Sequence, residues 1–101
     1  MNPKLALIEN EYAIVHAILQ MYLPGSVTVH VFGSRASGLT KPWSDLDLVL
    51  EDRQSLPLSL IATLAEAFEE SALPWKVDIV DRMTVSDGFG HLIDQSKVAF
   101  F

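Results

Sequence analysis

Two short segments and the connection between them constrain this chain most. Residues 27–32 are rich in β-branched side chains and predict a strand. Residues 45–50 alternate polar and apolar and predict a second one. Leu46, Leu48 and Leu50 fall on one face, and Asp45, Asp47 and Val49 on the other. The connection begins Gly33-Ser34-Arg35-Ala36-Ser37-Gly38 and continues through Lys41-Pro42-Trp43-Ser44. It is too long for a tight hairpin, and functional loops account for many connections of this length.

The rest of the chain supplies cover for the leucine face. Asn2-Pro3 reads as a helix start, with Asn as N-cap and Pro at the first helical position. Leu5, Ile8, Tyr12, Val15, Leu19 and Tyr22 then recur at spacings of three and four, predicting an amphipathic helix ended by Pro24-Gly25. Ile14, Ile18 and Met21 widen its stripe. Leu60, Ile61, Leu64, Ala67 and Phe68 predict a second helix from Pro57, closed by Leu73-Pro74. Residues 75–80 predict a third strand, on which Asp78 faces opposite to Val77 and Ile79. Residues 85–95 fit a short helix capped by Ser86, although Gly88 and Gly90 weaken the pattern. Residues 98–101 are apolar and fit an edge strand or an interface segment. The order helix, strand, strand, helix, strand, short helix predicts an α/β fold with α-helices packed on one sheet face.

Composition narrows the function. A chain of 101 residues that is half hydrophobic has material for one domain, 1–101, with one modest core. The absence of cysteine excludes a disulfide scaffold and a thiolate zinc site. No apolar run reaches the roughly 18 residues of a membrane span, and the start lacks a signal-peptide pattern, so a cytoplasmic location is expected. A net charge of −6 argues against general affinity for nucleic acid or anionic lipid.

Three of the acids occupy strand positions that suggest chemistry. Asp45 and Asp47 are two apart and project to the same face, with side chains about 6–7 Å apart at strand spacing. If the third strand is a neighbour, Asp78 joins them. Clustered hard oxygen ligands suit Mg²⁺ or Mn²⁺ and not zinc. Acids alternating with leucines are also the ordinary wet face of a half-covered sheet, and the Gly33-Ser34 turn is what favours a site. Its glycine permits close approach of the backbone to a ligand, amides there can cradle an anion, and Arg35 adds a candidate bidentate phosphate contact.

Val31-Phe32-Gly33-Ser34, ten residues, then Asp45-Leu46-Asp47-Leu48 resembles the signature of the polymerase-β-like nucleotidyltransferases. With Gly33-Ser34-Arg35-Ala36, Ser44-Asp45-Leu46-Asp47-Leu48 and Leu73-Pro74-Trp75-Lys76-Val77-Asp78, the chain is similar to the minimal nucleotidyltransferases over nearly its whole length. The resemblance implies a polymerase-β-like core with a small mixed β-sheet. It implies that Asp45, Asp47 and Asp78 are catalytic and hold two divalent metal ions, Mg²⁺ or Mn²⁺, on a bound NTP, with ATP the expected substrate. Asp78 would complete the second metal site and help activate the attacking hydroxyl, and Gly33 and Ser34 would hold the terminal phosphates. Many relatives carry a basic residue at the place of Ser37, and Lys41 is a candidate substitute. Trp43 can stack on a base or anchor its loop; Trp75, His16 and His30 read as structural.

A domain this small offers a catalytic face with little concave wall, whereas ligand sites are normally enclosed. A second subunit, or a second copy, is therefore expected to complete the pocket. The resemblance specifies a small all-helical partner of HEPN or substrate-binding type encoded nearby. In toxin–antitoxin versions, a tyrosine of that partner is the acceptor of AMP. The alternative is a non-catalytic antitoxin or nucleotide-binding subunit that neutralises its helical partner by contact.

Overall fold

The computed structural model describes residues 5–100. Its elements are α1 (Glu9–Tyr22), β1 (Thr28–Phe32), α2 (Ser34–Ser37), β2 (Leu46–Glu51), α3 (Leu58–Glu69), β3 (Val77–Asp81), α4 (Asp87–Ser96) and β4 (Val98–Ala99). The sheet order is β3-β2-β1-β4. β1 runs antiparallel to β2 and β4, and β2 runs parallel to β3, so the sheet is mixed. α3 provides the crossover that a parallel pair requires.

Alternation decides which side chains meet. Val29 and Val31 of β1 and Leu46, Leu48 and Leu50 of β2 are fully or almost fully buried in one cluster with Val15 and Leu19 of α1 and Leu64 and Phe68 of α3. The leucine face predicted for residues 45–50 is therefore the floor of the core. Burying each such side chain stabilises by about 1.5–3 kcal/mol. The strand itself begins at Leu46, so Asp45 is the last residue of the preceding loop and is exposed.

The start of α1 departs from the periodicity. Asn2-Pro3 lie outside the described residues, and the helix begins at Glu9, not before Leu5. Leu5 and Leu7 are buried in the core from a non-helical segment, while Ile8 is exposed. Two tertiary bonds hold this segment out of the helix: the Ala6 amide donates to the Arg35 carbonyl, and the Arg35 guanidinium donates to the Ala6 carbonyl. The Glu11 carboxylate then accepts the Ile8 amide and marks the helix start.

α4 forms where Ser86 predicts, its hydroxyl accepting the Phe89 amide. It covers the face opposite α1 and α3. Val49 and Ile93, both buried, lie outside the main core cluster, and Phe89 of α4 meets Phe32 edge-on at 5.9 Å between ring centroids. Helices thus cover one face fully and the far part of the other. The apolar tail adds β4 at the edge, paired with β1 through His30–Ala99 and Val31–Val98; Phe101 lies outside the described residues. No described helix is long and apolar enough to cross a membrane.

Candidate active site

The uncovered part of the second face carries the acids. Register places Asp47 of β2 opposite both Phe32 of β1 and Asp78 of β3. Cα partners on neighbouring strands project to the same face, so Asp47 and Asp78 stand side by side. Asp45 precedes the strand, two residues before Asp47. Among the described residues, none of the three carboxylates accepts a hydrogen bond or forms a direct ion pair, although Asp45 lies within electrostatic reach of the Arg35 guanidinium. The Asp47 carboxyl is pushed up to about 6, first by burial and then by the negative charges of Asp78 and Asp45.

β1 delivers the Gly-Ser turn to the same place. Gly33 has φ 74° and ψ −154°, a backbone region that essentially only glycine occupies. It is also pressed against the Asp47 carboxylate so closely that a Cβ at this position would collide with Oδ2. Gly33 therefore allows the turn and Asp47 to share one small volume. The Gly33 carbonyl accepts the amides of Ala36 and Ser37, closing the single turn of α2. The Ser34 carbonyl accepts the Thr40 hydroxyl at 2.7 Å, while the Ser34 hydroxyl itself has no bond to a described residue.

Arg35, expected at the phosphates, is placed elsewhere. It is 4% exposed, and its guanidinium donates to the carbonyls of Ser44 (3.0 and 2.9 Å), Ala6 (2.7 Å) and Pro42 (3.4 Å). Its planar group also lies 4.3 Å from the centre of the Trp75 ring. Four of its five N–H groups are engaged in these bonds, which leaves little donor capacity for a phosphate. Sequence spacing showed Arg35 next to the turn but not which way the side chain points.

Other residues sort by environment. Asp81 lies three positions beyond Asp78, faces the other side, and is satisfied by the amides of Leu56 (2.6 Å) and Met83 (2.9 Å). Trp75 is buried in the core cluster, as expected. Trp43 is 71% exposed and does not anchor its loop; the Lys41 ammonium lies 5.7 Å from its ring. His30 has a buried Nδ1 without a hydrogen-bond partner, and burial followed by the Lys97 charge lowers its pKa. Phe89, in the first turn of α4 after the Ser86 cap, packs on Phe32, the strand neighbour of Asp47.

The donor set decides what the site can hold. Three carboxylates with no direct ion pair, two of them adjacent across a sheet, match the hard oxygen chemistry of Mg²⁺ or Mn²⁺. Among the described residues, no three Asp, Glu, His or Cys side chains are already gathered into a metal cage. A pair of adjacent carboxylates suits a cation shared with phosphate oxygens, because Mg²⁺ usually takes one or two carboxylates plus substrate phosphates. Two clefts, of about 410 and 740 Å³, are lined by none of the three acids; they lie on the α3–β3 side and beside the segment at Leu5–Ile8 respectively, the second including Arg35 and Lys41.

A small mixed sheet presenting its acids beside a glycine turn is the arrangement of a nucleotidyltransferase domain. The chain belongs to that family, whose model matches residues 13–98. It is 43% identical over 90 residues to the "Probable protein adenylyltransferase MntA" of Haemophilus influenzae, a match covering 89% of this chain and 78% of that one. Two solved structures share the fold. One, a toxin–antitoxin with AMP-PNP, matches with TM-score 0.74 and 22% identity over 89% of this chain and 72% of that chain. The other, a tri-AMPylated Shewanella oneidensis HEPN toxin in complex with MNT antitoxin, matches with TM-score 0.66 and 18% identity over 89% and 68%.

Proposed function

We propose that this nucleotidyltransferase moves AMP from ATP to a hydroxyl of a small helical partner of the HEPN type, with a tyrosine as the acceptor. The observation that carries the reading is the Asp47–Asp78 pairing with Gly33 pressed against Asp47. Asp45, Asp47 and Asp78 would hold the divalent ions. When bound, such ions neutralise the triphosphate and polarise its phosphorus–oxygen bonds. Gly33 and Ser34 hold the terminal phosphates through main-chain amides and the Ser34 hydroxyl. Asp78 faces the acceptor and helps withdraw its proton as the oxygen attacks the α-phosphorus in line. The bond from that phosphorus to the bridging oxygen breaks, and pyrophosphate leaves. An ATP of about four negative charges cannot approach three carboxylates unaided, so the reading requires the cation.

The similarity to a protein adenylyltransferase and to complexes of an AMPylated HEPN toxin supports both donor and partner. The test uses the complex with the helical protein encoded beside this chain, Mg²⁺, and ATP labelled at the α- or the γ-phosphate. Label from the α position on the partner, and none from the γ position, is the expected result. Label from the γ position would mean phosphoryl transfer. A stable complex that takes up no label would mean silencing by contact.

A further inference from the structure

We infer that Arg35 is a positioning residue for the site: its guanidinium fixes the loop that carries Asp45 against both the Gly33-Ser34 turn and the strand that carries Asp78. The inference rests on the reading of the acids as the nucleotide site, and concerns how they are held. Arg35 belongs to the same single turn, α2, as Ser34. Its Nε and one Nη bond the Ser44 carbonyl, and the peptide unit containing that carbonyl also contains the amide nitrogen of Asp45. A second contact reaches the Pro42 carbonyl, so two points of the loop are clasped. The other Nη holds Ala6, which returns a backbone bond to Arg35. The flat face of the guanidinium rests on Trp75, two residues before β3 begins. One buried side chain thus touches the segments leading to all three parts of the site.

Chemistry explains why arginine is needed. A planar fork can serve two carbonyls in fixed directions and stack on a ring at once, whereas a lysine ammonium is a point charge on a flexible stem. The loop has few other anchors: the Thr40 hydroxyl bonds the Ser34 carbonyl at its start, the Ser44 amide bonds Lys41, the Ser44 hydroxyl accepts the Lys41 amide, and the Leu46 amide reaches Lys76. Without the guanidinium, Asp45 keeps its place in the chain but loses its fixed distance from Gly33. Loss of outer groups that orient ligands costs about 10- to 100-fold in metal affinity.

The test compares wild type with Arg35→Lys in three readouts: thermal stability, amide hydrogen exchange across residues 41–46, and affinity for Mn²⁺ with AMP-PNP, measured well below either melting temperature. The expected result is faster exchange at residues 41–46, unchanged protection of residues 48–50, and roughly 10-fold or greater weakening of Mn²⁺–AMP-PNP binding. A folded Arg35→Lys that binds within twofold of wild type overturns the inference, because a purely structural arginine would alter stability alone. Wild type that fails to bind Mn²⁺–AMP-PNP overturns the nucleotide-site reading and this inference together. Should Arg35→Lys not fold, the Arg35 Nε–H resonance of wild type decides. Protection from exchange before nucleotide is added, with the Asp45 amide and not the Arg35 Nε–H shifting on binding, supports positioning. An Nε–H that exchanges freely, or that shifts as the main responder to nucleotide, overturns it.

Discussion

Asp47 and Asp78 are direct partners across the parallel β2–β3 pair, so two carboxylates of like charge share one side of the sheet with no protein cation between them. Together with burial, this raises the Asp47 carboxyl to about 6. The unfolded chain releases this proton near pH 4, and the folded chain releases it near pH 6. Between those values the folded state binds more protons, so metal-free stability falls as pH rises from about 4 to about 6. Solvent screening of a half-buried group limits the loss to about 1–2 kcal/mol. Urea unfolding in EDTA across this range checks it, and Asp47→Asn flattens this part of the profile.

The same crowding predicts the response to cations. Mn²⁺ or Mg²⁺ with AMP-PNP raises the melting temperature of wild type, since a ligand bound only to the folded state stabilises it by mass action. Asp45→Asn with Asp47→Asn removes that rise while leaving the metal-free protein as stable as wild type or slightly more so, because two repelling charges are gone. A large stability loss in the double variant would instead assign these acids a structural role. Differential scanning calorimetry with and without EDTA makes the comparison.

Gly33 and Gly38 both have positive φ, 74° and 85°, but they differ in surroundings. Gly38 is in the left-handed helical region with open space where a Cβ would go, so Gly38→Ala costs about 1–2 kcal/mol. Gly33→Ala adds a collision with Asp47 to a backbone that alanine resists, and costs about 3 kcal/mol or more. It also removes nucleotide binding by displacing Asp47. Denaturant melts and AMP-PNP titration of the two variants separate the effects.

Ile93 reports on the second face. It is 1% exposed on the buried side of α4 and separate from the main core, so Ile93→Ala costs about 2–4 kcal/mol and loosens α4 first. Hydrogen exchange then rises at residues 87–96 ahead of the β1–β2 core. Asp94→Asn, which breaks the solvent-exposed pairs with Arg82 and Lys97, changes stability far less than Ile93→Ala.

What could be read in the sequence was local. The β-branched run before Gly33, the leucines alternating with Asp47, and the lone acid at Asp78 each depend on a period of two, and the sheet keeps all three, with Asp45 just before it. Ser86 announces α4 by a cap confined to its own first turn. What could not be read depends on partners distant in sequence. Leu5 and Ile8 fit a helical spacing, yet Ala6 is bound to Arg35, 29 residues away, and that bond overrides the period. Arg35 sits beside a phosphate-type turn in sequence but points into the carbonyls of a loop that only the folded chain brings to it. The side of the sheet taken by α4 is likewise settled by the Phe32–Phe89 contact across chain positions far apart, and not by the helix's own pattern.

Asp45, Asp47 and Asp78 are proposed to form a nucleotidyl-transfer site. It is tested most directly by incubating the complex of this chain and its helical partner with Mg²⁺ and α-labelled ATP. Wild type is compared with Asp45→Asn/Asp47→Asn and with Asp78→Asn, both confirmed to be folded and partner-bound. Wild type is expected to label the partner, EDTA to abolish the label, and each acid variant to lose at least about 100-fold in initial rate. Labelling by either variant at the wild-type rate would contradict it.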